Sequence, residues 1–132
     1  MVTVRSFENT EVWKDSRSLL KEVFKATKNN LMKHEYFLQD QMKRSALSIL
    51  FNISEGFERD GNKELIQYLF HAKGSAGELR SQLLAGFDMG LLSQNDFQHL
   101  NGKVISISKQ LSGFIKYLKS SGLKGRKYSD DS

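Results

Sequence analysis

Residues 97–118 read FQHLNGKVISISKQLSGFIKYL and contain the most regular apolar pattern in the chain. Large apolar side chains recur there at alternating spacings of three and four residues, which places them on one face of an α-helix. Ser93 and Asp96 precede this stretch at the spacing of a capping box, with Asp in place of the usual Glu. We therefore predict a long amphipathic helix here. Its apolar face comprises Phe97, Leu100, Val104, Ile107, Leu111, Phe114 and Leu118.

Three further helices precede it. The same periodicity, together with flanking Asn and Gly residues, predicts helices over about 9–28, over 37 or 39–58, and over 62–90. The links after the second and third helices are short, so consecutive helices must run antiparallel. We predict an all-α fold, an up-and-down four-helix bundle. The domain should span residues 1–123, and residues 124–132 should form a flexible basic and acidic C-terminal tail.

The middle of the third helix, AKGSAG at 72–77, is unusually rich in glycine. Each glycine inside a helix costs about 1 kcal/mol relative to alanine, so its presence calls for an explanation. One explanation is a neighbouring helix that packs closely there, and the other is a ligand or substrate that lies against the bare backbone. The second helix also carries small residues on its inner side, so we predict the closest contact between the second and third helices.

The composition excludes several classes of protein. The chain has 132 residues and neither cysteine nor proline, which excludes disulfides and thiolate metal sites. No apolar run approaches the ~20 residues that span a bilayer, so we expect no membrane partner and a cytoplasmic location.

The sequence also lacks enzymatic motifs. None of the three histidines follows a glutamate by three residues, as the di-iron helical bundles require. No nucleophile elbow and no phosphate-binding glycine loop is present. We therefore expect no enzymatic activity, no cofactor, no catalytic residue and no metal site.

The net charge of +5 is concentrated near the C-terminus. Between residues 97 and 129 there are seven basic residues and no acidic one. Lysine and arginine neutralise nucleic-acid phosphates, so this segment is a candidate nucleic-acid-binding surface. An ordinary solvated helix face followed by a soluble tail is the alternative. The candidate residues are Lys109, Lys116, Lys119, Lys124, Arg126 and Lys127.

Polar residues also recur on one side of the second helix, at spacings of three and four. Polar groups in a core need hydrogen-bond partners, so we predict a buried polar network that fixes the register of the second and third helices. The alternative is a polar groove that meets a ligand or a partner chain. The network comprises Gln41, Arg44, Ser48, Asn52 and Glu55 from the second helix, and Ser75 and Glu78 from the third.

The second and third helices carry a recognisable set of motifs. Residues 41–44 read QMKR, residues 48–56 read SILFNISEG, and residues 72–79 read AKGSAGEL. Together with Phe7, Val12 and Trp13, this pattern resembles the four-helix-bundle family of the 23S rRNA intervening-sequence proteins. One departure is the absence of a proline before the second helix, where this chain has MKHE.

The resemblance implies a left-handed four-helix bundle and a cyclic homo-oligomer, namely a pentamer. It also implies an RNA context, because family members occur within inserted segments of ribosomal RNA genes. Distant relatives are the accessory variability-determinant proteins of retroelements, which partner reverse transcriptases. We therefore expect a non-enzymatic, oligomeric helical scaffold that binds RNA through basic surfaces. The alternative is a protein-interaction module that partners a reverse transcriptase or another nucleic-acid enzyme without binding RNA itself.

Overall fold

The computed structural model describes the backbone of residues 6–129 and the side chains of residues 6–121. A short 3-10 turn at Phe7–Asn9 is followed by four α-helices, and no strand occurs within residues 6–129. This confirms the predicted all-α fold. The helices are α1 (Glu11–Ala26), α2 (Tyr36–Glu58), α3 (Asn62–Asp88) and α4 (Gln94–Ser129).

The four helices pack as a square. Helix α1 contacts α2 and α4, helix α3 contacts the same two helices, and in the described part of the chain neither diagonal pair meets. The short links make neighbours antiparallel, so the arrangement is an up-and-down four-helix bundle. The contact between α2 and α3 is the most extensive, as predicted.

The helix ends follow the local sequence. Thr10 accepts a hydrogen bond from the backbone N–H of Trp13, and Ser93 accepts one from the backbone N–H of Asp96 at 3.1 Å. The hydroxyl half of the predicted capping box on α4 is therefore confirmed. Helix α3 begins at Asn62, and Gly61 occupies the N-cap with φ +94°, a conformation that other residues rarely adopt.

The link between α1 and α2 is a packed part of the core. Met32 is fully buried, although the sequence pattern assigned it to no helix. The side chain of Asn29 holds the link in place, because its oxygen accepts from the backbone N–H groups of Leu31 and Met32. Its amide donates to the backbone carbonyls of Ala26 and Leu91, which ties the link to the one between α3 and α4.

The glycines of α2 and α3 occupy two different environments. A Cβ on Gly56 would lie 2.9 Å from Tyr68 Cβ and 3.0 Å from Leu65 Cδ1, so this glycine permits the close approach of α2 and α3. A Cβ on Gly74 or Gly77 would meet nothing within 4 Å. The expectation that a neighbouring helix of the chain packs against these two glycines is therefore wrong.

The C-terminal end of α4 runs through Gly122 to Ser129. Side chains from residue 122 onward lie outside the described part of the chain. The predicted tail at 124–132 therefore stays a prediction.

Candidate nucleic-acid interface

Three of the predicted nucleic-acid-binding residues lie on the outer side of α4. Lys109, Lys116 and Lys119 are exposed, and no carboxylate within residues 6–121 approaches them to within 4 Å. The Lys119 ammonium lies 5.1 Å from the centre of the Phe70 ring on α3, which is a cation–π distance. The side chains of Lys124, Arg126 and Lys127 lie outside the described residues.

On the opposite flank of α4, the cationic and polar side chains are engaged by residues of α1. Lys103 Nζ lies 2.6 Å from Glu22 Oε2 and donates to Ser18 Oγ at 2.8 Å. His99 Nε2 lies 2.6 Å from the other carboxylate oxygen of Glu22. Burial opposes ionisation of Glu22, but the hydrogen bonds and charges of Lys103 and His99 outweigh it and lower the pKa of this carboxyl. These contacts therefore stabilise the packing of α4 against α1.

The predicted buried polar network is an open groove instead. Only Ser75 is buried, while Gln41, Ser48 and Asn52 are partly buried. The three charged members are exposed, so the prediction of burial is wrong for them. They are Arg44, Glu55 and Glu78. Six of the seven line depressions at the edge between α2 and α3, where water reaches the charged groups; the exception is Gln41.

Hydrogen bonds organise the floor of this groove. The hydroxyls of Ser48 and Ser75 lie 2.7 Å apart and join α2 to α3. The Asn52 amide donates to the backbone carbonyl of Ser48 at 2.8 Å and to its hydroxyl at 3.0 Å. The floor is therefore a satisfied interhelical network of three residues, which matches the core of the prediction.

Two exposed aromatic side chains line the groove. Phe51 on α2 and Phe70 on α3 line adjoining depressions that share Ser48 and Asn52. Phe51 is 60% exposed and Phe70 is 47% exposed, which is unusual for residues of this size. Gly74 lies on the same surface and leaves the α3 backbone open. We call this surface the α2–α3 groove.

The described residues form neither a metal centre nor a membrane span. No group of three or more His, Asp or Glu side chains there is arranged to hold a metal ion. None of the described helices is long and apolar enough to cross a membrane.

A family model described as 23S rRNA-intervening sequence protein matches residues 8–113. This match covers more than half of the chain, from before α1 into α4. The chain belongs to the 23S rRNA-intervening sequence protein family. The motif residues that resemble this family include Arg44, Ser48, Asn52, Glu55 and Gly74, and all five line the α2–α3 groove.

A solved structure shows the same fold. The chain is similar to a protein of unknown function from the S23 ribosomal protein family of Bacteroides thetaiotaomicron, with a TM-score of 0.74 and 23% sequence identity. The similarity covers 80% of this chain and 98% of that one. The chain matches no curated protein sequence.

The family match ends at residue 113, within α4. Lys109 lies inside it, and the other five candidate nucleic-acid-binding residues lie beyond it. The pairing of Lys119 with Phe70 was not predicted. The available signal was the position of Phe70 outside the apolar stripe of α3, which marks an exposed aromatic residue.

Proposed function

We propose that this family member is a non-enzymatic, homo-oligomeric helical scaffold that binds RNA. The observation that carries the proposal is the row of exposed, unneutralised lysines on α4: Lys109, Lys116 and Lys119. Ten residues of helix separate the first from the last, which is a rise of about 15 Å. A nucleic-acid strand carries one phosphate per ~3.4 Å of duplex axis, so this row can neutralise several phosphates at once.

A homo-oligomer, which we propose to be a pentamer, would strengthen such binding. A patch of three lysines binds weakly alone, but copies around a ring raise the avidity without any new contact. The exposed side of α3 offers a surface for a second subunit, because Gly74 and Gly77 leave the backbone open beside Phe70 and Leu84. Small residues that flank large apolar ones are typical of close helix packing.

The test is a salt titration of RNA binding by fluorescence anisotropy. The variant K109Q/K116Q is compared with the charge-matched control K33Q/K63Q, whose lysines are also exposed but belong to the α1–α2 link and to α3. We expect the α4 variant alone to bind more weakly, with a salt slope reduced by ~0.7–0.9 per lost phosphate contact. Equal affinity of the two variants would contradict the assignment to α4.

The α2–α3 groove favours a second candidate function, a protein-interaction module that partners a reverse transcriptase or another nucleic-acid enzyme. Its exposed Phe51 and Phe70, its polar floor and its open backbone at Gly74 are features of a protein-binding surface. Under this alternative, a partner polymerase should stay bound after RNase treatment and should be lost from Phe51→Ala. Loss of the complex on RNase treatment would favour direct RNA binding.

A further inference from the structure

The outer face of α1 carries a row of cationic side chains. Five cationic side chains recur along it at spacings of three and four residues, and all five are exposed. Helical periodicity at 100° per residue places them within an arc of about 80°. We call this surface the α1 basic face. It comprises Lys14, Arg17, Lys21, Lys25 and Lys28.

The acidic residues of α1 lie on a different side of the helix. Asp15 accepts a hydrogen bond from Gln110 of α4, and Glu22 binds Lys103 and His99 of the same helix. Both carboxylates therefore face α4 and are occupied there. Glu11 lies 3.8 Å from Lys14 at the start of the helix. The other four cations of the α1 basic face have no carboxylate within 4 Å in the described part of the chain.

Helix α2 extends this face with a further cation, which lies over an aromatic ring of α1. Lys43 of α2 places its ammonium 5.0 Å from the centre of the Phe24 ring of α1. The Arg17 guanidinium lies 5.6 Å from the Trp13 ring, which holds this side chain along the helix surface. Phe24 lines a shallow depression with Lys21, Lys25 and Lys28. The surface therefore combines positive charge with one partly exposed ring.

We propose that the α1 basic face is a second RNA-binding surface of this protein, one that holds the phosphodiester backbone. The inference rests on the proposed RNA-binding function and places the larger share of the phosphate contacts on α1, in addition to those of α4. The rise from Lys14 to Lys28 is about 21 Å, which spans roughly six phosphates of one strand. Five cations on α1 and Lys43 beside them match that number of charges.

The charge arrangement favours a polyphosphate ligand over an anionic membrane. A helix that lies in a membrane interface buries a broad apolar face in the lipid. Most apolar residues of α1 point into the bundle, where Leu19 and Val23 are fully buried. On the outer side, the partly buried Leu20 and the 36% exposed Phe24 line the depression among the lysines. Too little apolar surface remains to insert into lipid, whereas binding along a phosphate backbone requires only the charges.

The experiment compares two variants that each lose three exposed charges. K21Q/K25Q/K28Q removes charge from the α1 basic face, and K109Q/K116Q/K119Q removes the same charge from α4. Wild type and both variants are titrated with a fluorescein-labelled RNA hairpin over a range of salt concentrations. The variant K21R/K25R/K28R keeps the charge and should bind like wild type. Circular dichroism and thermal unfolding show whether each variant is folded.

Each lost phosphate contact lowers the slope of log affinity against log salt concentration by ~0.7, so three lost contacts weaken binding roughly 100-fold at about 0.1 M salt. We expect this loss for the α1 variant. The slope itself should fall by about 2 units for the three contacts. The α4 variant should lose less. If the α1 variant binds RNA like wild type while the α4 variant is weakened, this inference is overturned and the proposed function stands.

Two further outcomes would also overturn the inference. If wild type fails to bind the hairpin at low salt, the proposed function is refuted, and the inference that depends on it is refuted as well. The proteins are also mixed with vesicles of phosphatidylcholine and phosphatidylserine. Vesicle binding that depends on Lys21, Lys25 and Lys28, with RNA binding unchanged, would assign the α1 basic face to a membrane surface.

Discussion

The same substitution at two glycines should have opposite effects on stability. Gly56→Ala adds one methyl group in the last turn of α2 and Gly74→Ala adds one in the middle of α3, and each gains up to about 1 kcal/mol of helix propensity. At Gly74 the new Cβ would lie in open space, so we expect the full gain to appear as increased stability. At Gly56 the new Cβ would lie 2.9 Å from Tyr68 Cβ, and relief requires movement of the α3 backbone.

The expected loss of stability in Gly56→Ala follows from the cost of adding atoms to a packed interface. Adding atoms to a well-packed core typically costs 1–3 kcal/mol, and the rigid Cβ contact places Gly56 near the upper value of ~3 kcal/mol. After the propensity gain, Gly56→Ala should be destabilised by about 2 kcal/mol. The two variants should then differ by ~3 kcal/mol, or by about 12 °C in melting temperature at roughly 4 °C per kcal/mol for a domain of this size.

Thermal and urea unfolding followed by circular dichroism measure this difference. Both variants are studied at several protein concentrations, because an oligomer that covers Gly74 would make the result depend on concentration. Destabilisation of Gly74→Ala at every concentration would refute the finding that open space lies beside this glycine. Destabilisation only at concentrations where the wild type is oligomeric would place Gly74 in the subunit interface. Unchanged stability of Gly56→Ala would refute the close approach of α2 and α3.

Three other substitutions test the packing and the electrostatics. Met32→Ala should destabilise the protein by about 2–5 kcal/mol in urea unfolding, because Met32 is fully buried; a loss below ~0.5 kcal/mol would show that the link does not belong to the core. Ser54→Ala removes the acceptor 3.0 Å from Trp13 Nε1 and should cost about 1 kcal/mol, whereas Ser112→Ala, at an exposed position, should be neutral. The pKa of Glu22 is lowered in the folded state, so its ionised form stabilises the protein above its usual pKa of about 4.5, and this stability is lost as the pH falls through the folded value. Glu22→Gln should therefore lower the melting temperature at neutral pH and reduce its decrease in acid; parallel melting curves of variant and wild type from neutral to acidic pH would contradict this.

The helical periodicity of the sequence was sufficient to predict the architecture. The stripe from Phe97 to Leu118 and the short links predicted four antiparallel helices, because apolar spacing directly reports which side of a helix is buried. The start of α4 at Ser93 was likewise readable, because a cap depends on residues within one turn. The motifs around Asn52 and Gly74 indicated the family.

Only the tertiary structure decided which side of a helix remains open. In the sequence, Gly56, Gly74 and Gly77 have similar surroundings. In the structure, Gly56 packs against α3, whereas Gly74 and Gly77 face outward. The polar residues of α2 share one side, but whether that side is a core or a groove depends on the position of α3. The same holds for charge, since Asp15 and Glu22 of α1 turn toward α4 and leave four of the five cations of the α1 basic face without a carboxylate partner among the described residues. Periodicity gives the rotation of each helix about its own axis, whereas burial and neutralisation depend on where the neighbouring helices lie.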